Sequence, residues 1–168
     1  FDIEEFMDRY ARDQGNFTYT TDWGGFNVPG HVVDEFYAKF EDNLLRKEEN
    51  LFHILKQPKG RYYVIALYDE ECLDHELAHA LYYLDSTYKE KADKLVGSLP
   101  KEVSETIEEW LLDKGYSKPQ VVDEINAYLA TTTDKGQMGE WFGKEVRKLY
   151  KTFEPFRAAF ILHKRVRR

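Results

Sequence analysis

Apolar residues recur along this chain mostly at three- and four-residue steps, a pattern that predicts helices joined by short turns with little sheet. Ile3, Phe6, Met7 and Tyr10 mark a first amphipathic helix, ended by Gly15. Phe17-Thr18-Tyr19-Thr20 alternates large and small and predicts a short strand, and Trp23-Gly24-Gly25 a turn. Beyond Pro29, the series Val32, Val33, Phe36, Tyr37, Phe40 and Leu44 marks a second helix with a strong apolar stripe. Two apolar runs follow, Leu51-Phe52-His53-Ile54-Leu55 and Tyr62-Tyr63-Val64-Ile65-Ala66-Leu67. Gln57-Pro58-Lys59-Gly60 between them has turn chemistry, so the pattern predicts a β-hairpin. Its second strand leads directly into the next helix. That arrangement sets a sheet edge beside a cleft, where an extended peptide can add by main-chain hydrogen bonds.

Helices are predicted for the rest of the chain. Leu73, Leu77, Ala80, Leu81 and Leu84 share one face of a helix ending near Asp85, and Thr87-x-x-Glu90 caps the next, which runs to about Val96. Pro100 opens another, with Val103, Ile107, Trp110 and Leu111 inward, until Gly115 stops it. Its Glu102, Glu105, Glu108, Glu109 and Asp113 form a solvated face. Ser117-x-x-Gln120 is a capping box opening a helix through Val121, Val122, Ile125, Tyr128 and Leu129. Val146, Leu149, Phe153, Phe156 and Phe160 form a last helical seam, bent or interrupted at Pro155. Packing onto the domain is its expected job; docking of a partner through the helix at 146–163 is the alternative. The expected fold is therefore α+β: one mainly helical domain spanning 1–168, with a small β-sheet whose edge borders the active-site cleft.

Composition narrows the partners. A chain of 168 residues is long enough for a core without staples. A net charge of −7 argues against nucleic acid, and the basic Lys164–Arg168 tail is expected to be solvated. No apolar run approaches the ~18 residues a membrane span needs, so no membrane partner is expected. The only cysteine, Cys72, cannot form an internal disulfide, which points to a reducing, cytoplasmic setting. A chain opening at Phe1 reads as trimmed or processed.

Chemistry concentrates in His75-Glu76-Leu77-Ala78-His79. A four-residue step on a helix turns the side chain by only ~40°, so His75 and His79 stack one turn apart and can share one zinc ion. Glu76 lies ~100° further round, where it can reach an activated water as general base instead of taking the metal. A catalytic zinc wants a third protein ligand. Asp85, six residues after His79, points away if the helix continues, and Cys72 would need three successive turns of one helix to reach one ion. Glu124, 45 residues after His79 on a separate, well-capped helix, is the stronger candidate. Asp123 is its neighbour and competitor, turned ~100° away. Tyr83, one turn after His79, and Tyr128 are candidates for stabilising a developing oxyanion, whereas His31 and His53 read as structural.

With these residues in place, the stretch from Tyr62 to about Ala130 resembles zinc metallopeptidases of the zincin superfamily, in the gluzincin-like group with a glutamate third ligand. The resemblance implies His75, His79 and Glu124 as Zn2+ ligands and Glu76 polarising the attacking water, hence a hydrolase acting on a peptide or protein substrate. The chain departs from thermolysin-like members in having Tyr128 where they place an aspartate that orients a zinc histidine. The alternative is a non-catalytic zincin-like binding or scaffold module with a structural or vestigial metal site.

Overall fold

The computed structural model of the chain describes residues 3–18, 25–55, 60–67 and 70–166. It divides into two compact units, Phe1–Cys72 and Leu73–Arg168. The architecture is α+β and mainly helical, with one two-stranded antiparallel sheet among the described residues.

In the first unit, α1 (Ile3–Gln14) stops at Gly15, whose φ of 82° is left-handed backbone that glycine adopts freely. Phe17 meets Phe6 and Tyr10 edge-on beside it, and the three ring centroids lie 5.7–6.2 Å apart. Strand β1 (Gly25–Pro29) leads into α2 (Gly30–Phe40), and α3 (Arg46–Leu55) precedes β2 (Tyr63–Leu67). The strands pair antiparallel with Phe26 opposite Ala66 and Val28 opposite Val64. The Gly30 amide donates to the Tyr62 carbonyl at 2.9 Å, and a Cβ at Gly30 would lie 2.6 Å from the Tyr62 ring, so only glycine allows this approach.

Two expectations are corrected here. Leu51–Leu55 is the last half of α3, not a strand, so the expected hairpin does not form. The run is helical because Arg46-Lys47-Glu48-Glu49 precedes it. Glu48 turns back to accept from the Leu45 amide at 2.8 Å, and only Phe52 is buried, packing against Phe36 and Tyr37 of α2. The partner of β2 is instead Gly25–Pro29, whose Phe26-Asn27-Val28 is too short to show a period; Gly25, expected in a turn, opens this strand. Phe17 and Thr18 are not in a strand, and the rest of that expected strand lies outside the described residues.

The second unit is a bundle of α4 (Leu73–Leu84), α5 (Ser86–Gly97), α6 (Lys101–Asp113), α7 (Val121–Thr131), α8 (Lys135–Lys148) and α9 (Glu154–Val166). At its centre α7 packs against α4, α5, α6 and α9. Its sequence suits that place, since Val121, Glu124, Ile125, Asn126, Ala127, Leu129 and Ala130 are all buried. The Ser117–Gln120 capping box forms as expected, opening a 3-10 turn that runs into α7. Helix α5, by contrast, is capped by Asp85, which accepts from the Thr87 and Tyr88 amides, so the Thr87–Glu90 box is corrected. The interruption near Pro155 falls earlier, in a 3-10 turn over Tyr150–Phe153. Proline then sits in the first turn of α9, where its missing N–H costs nothing. Val146, Phe153, Phe156 and Phe160 are buried in the unit's core, leaving Ile161 and Leu162 exposed on α9. No helix among the described residues is long and apolar enough to cross a membrane.

Candidate metal centre

Helices α4 and α7 lie against each other with Ala78 and Ala127 fully buried; small side chains there let the two backbones come close. Across that contact His75, His79 and Glu124 each offer one atom, all within 4.8 Å of one another. The Nε2 atoms of His75 and His79 are 3.2 Å apart. Glu124 Oε2 stands 3.6 Å from the first and 3.5 Å from the second. His79 and Glu124 are buried, whereas the His75 side chain keeps 21% of its surface exposed, which gives the group one open side.

These separations test whether the residues fit a cation. Zinc–donor bonds of 2.0–2.1 Å in a tetrahedron place neighbouring donors ~3.3–3.4 Å apart. The three edges here, 3.2, 3.5 and 3.6 Å, bracket that value. Glu124 Oε2 is moreover a buried oxygen without a hydrogen-bond partner, a costly arrangement for a carboxylate unless an ion completes it. The donor set fits a divalent metal, and two imidazoles with one carboxylate suit zinc. Among the described residues no fourth histidine, cysteine or acid joins the group.

Glu76, beside His75 on α4, is also buried. Asp85 takes no part, since its side chain caps α5. Tyr128 sets its ring edge-on to His75, centroids 4.7 Å apart, and packs on its other sides against Trp110, Trp141 and Phe142. Tyr83 is half-buried one turn after His79. His163 bonds the Ala159 carbonyl, packs its ring on Tyr88 and does not join the three donors, and His31 and His53 are exposed.

Two residues escaped sequence reasoning. Asp123, read as a competitor of Glu124, places Oδ2 3.0 Å from Nδ1 of His79, on the side of the ring facing away from the cluster. Tyr116, in the loop between α6 and α7, is half-buried and lies in the field of Glu124 and Glu76. Its signal was faint: one aromatic between Gly115 and the Ser117 capping box, with no period to orient it.

Electrostatics follow from this crowding. Burial favours neutral His79, but Asp123 on Nδ1 and the facing Glu124 carboxylate outweigh it and raise the imidazole pKa to about 10. Burial disfavours the Glu124 carboxylate, yet the two imidazoles facing it hold its pKa down to about 2. Burial, reinforced by the nearby charge of Glu124, pushes the Tyr116 phenol well above its usual range, so it keeps its proton. A ligand imidazole must be neutral, so proton and metal compete for this pocket.

Compared with protein-family models, with curated proteins and with solved structures, the chain matches none.

Proposed function

We propose that the chain is a zinc-dependent peptidase, cleaving a peptide or protein substrate in a reducing, cytoplasmic compartment. The observation that carries this reading is the set of tetrahedral edges made by His75 Nε2, His79 Nε2 and Glu124 Oε2, with a buried glutamate adjoining the first ligand. A zinc ion held there supplies Lewis acidity, lowering the pKa of water and polarising a carbonyl oxygen. The residues do the rest. His75 and His79 would hold it through neutral rings and Glu124 would contribute charge, while Glu76 takes a proton from the attacking water and returns it to the leaving amine. Tyr116, kept protonated by burial and by the charge of Glu124, is a candidate hydrogen-bond donor for charge developing on the carbonyl oxygen. Tyr128 also packs His75 in place, and helical spacing sets Tyr83, four residues after His79, on the same face of α4. A non-catalytic module with a structural metal would call for a closed, four-ligand site; three donors grouped among the described residues favour the open, catalytic kind. Partner docking through 146–163 falls to the exposed Ile161 and Leu162 of α9.

The test pairs elemental analysis with cleavage of a peptide library by the purified chain. One zinc per chain and cleavage by the wild type are expected, with Glu76→Gln keeping zinc and losing turnover. Full turnover by Glu76→Gln refutes the base, and a wild type without zinc refutes the site.

A further inference from the structure

Adjacent positions on a helix point ~100° apart, so Asp123 and Glu124 should serve different surroundings. Here they serve one imidazole from two sides: Glu124 Oε2 lies 3.5 Å from Nε2 of His79 and Asp123 Oδ2 lies 3.0 Å from Nδ1. A neutral imidazole has one N–H and one lone pair, and a carboxylate only accepts. The hydrogen therefore belongs on Nδ1, donated to Asp123, and the lone pair on Nε2 is directed at His75 and Glu124.

The layer behind Asp123 sharpens the point. Asn126 and Tyr88, both buried, hydrogen-bond each other at 3.3–3.4 Å, and the Tyr88 ring packs on His163 of α9. Neither donates to Asp123, whose Oδ1 is buried without a partner. Half of this carboxylate is thus desolvated with no hydrogen bond in return, a poor design for holding two helices together. Among the described residues, its one polar contact across the helix interface is His79.

Resting on the metal-site reading above, we propose that Asp123 is the positioning residue of the centre: it fixes His79 in the Nδ1–H tautomer, aims Nε2 at the cation and raises the ring's basicity as a ligand. Such outer partners are worth 10–100-fold in metal affinity. Tyr128 is not placed to do this, because its ring lies against His75.

The test measures zinc affinity of the full chain by competition with a chromophoric chelator for the wild type, Asp123→Ala and Asp123→Asn. Melting of the zinc-free proteins and long-range proton–nitrogen spectra of His79 accompany it. Expected are a 10–100-fold loss of affinity in Asp123→Ala and a smaller loss in Asp123→Asn, whose amide oxygen still accepts from Nδ1–H. The zinc-loaded wild type should show Nδ1–H in these spectra, and zinc-free melting of Asp123→Ala should fall by no more than the loss of its pair with His79. A merely structural aspartate would lower melting and leave the affinity as it is. Asp123→Ala binding zinc within twofold of wild type, or His79 protonated on Nε2 in the zinc-loaded protein, overturns the proposal. Should Asp123→Ala fail to fold, the Asp123→Asn affinity and the wild-type tautomer decide it. A wild type that takes up no zinc sinks the site and this proposal together. A wild type that binds zinc and cleaves no peptide counts against the peptidase alone, and the affinity series still judges Asp123.

Discussion

Helix α4 carries two polar groupings that differ in one respect. On its outer side, the Tyr82 hydroxyl donates to Asp93, and Lys89 of α5 donates to both Tyr82 and Asp93 at 2.8 Å. One cation, one anion and one hydroxyl satisfy each other in partial contact with water. On its inner side, two imidazoles face two carboxylates, the Nε2 atoms confront each other at 3.2 Å, and one oxygen of each carboxylate is buried without a partner. Buried polar groups normally find partners. The outer set is complete as it stands, whereas in the inner set Glu124 Oε2 and the two Nε2 atoms converge on one point, and a cation there would complete the glutamate oxygen. Incompleteness, more than the presence of charged residues, separates a candidate site from an ordinary surface cluster.

Removing a ligand should break the comparison most. His75→Ala should abolish stoichiometric zinc binding, and with it the stabilisation zinc confers. At a free zinc concentration 100 times its Kd the wild type should gain about 2.7 kcal/mol, reversed by a chelator, and the variant none. Thermal melts with and without zinc read this directly, and equal shifts in both proteins would place the ion elsewhere.

Next in size is turnover. Glu76→Gln should lower kcat by roughly 10²–10⁴ with zinc content intact. Tyr116→Phe should lower it by up to about 10²–10³, the range for losing one oxyanion donor, again with zinc retained. If Tyr116→Phe changes KM alone, the phenol binds substrate and has no part in the chemical step.

An acid titration sharpens the contrast without substrate. In the zinc-free protein Glu124 is held at about 2, below the model-peptide value of 4.5. A lowered carboxylate pKa gives stability that is fully present above 4.5 and is lost as pH falls toward 2, on the order of 3 kcal/mol. The stability gap between wild type and Glu124→Gln, read from urea melts, should therefore shrink across that window. A gap constant from pH 6 to pH 2.5 would mean that the imidazoles do not hold the carboxylate.

What the sequence revealed of all this follows its range of interaction. His75 and His79 were legible because the relation between them is local to one helix. Glu124 was legible because a capping box fixed where its helix starts and the stripe of Val121, Ile125 and Leu129 fixed which way it faces. Asp123 was not, because its role depends on how α4 and α7 cross. A helical wheel separates it from Glu124, while packing lets both reach the same ring. Tyr116 sits in a loop, where no period assigns a direction. The hairpin misreading has the same root. Leu51–Leu55 fits strand or helix over five residues, and the pairing of β1 with β2 spans two intervening helices that no local pattern can bridge.

The smallest effect concerns the outer grouping. Lys89 and Asp93 keep 47% and 42% of their side-chain surfaces exposed, so water and salt screen their attraction. Lys89→Ala and Asp93→Ala should each cost less than about 1 kcal/mol, and less still at high salt. Zinc affinity should stay unchanged in both, since neither residue belongs to the donor group. Asp93→Ala is the more telling of the two, because it leaves the half-buried Tyr82 hydroxyl with only Lys89 as a partner and disturbs the helix that carries His75 and His79. If its zinc affinity nevertheless matches wild type, the two faces of α4 are energetically separate. If it falls tenfold, the outer triad helps hold α4 in register against α7, and the distinction between a complete and an incomplete cluster would no longer be a local one.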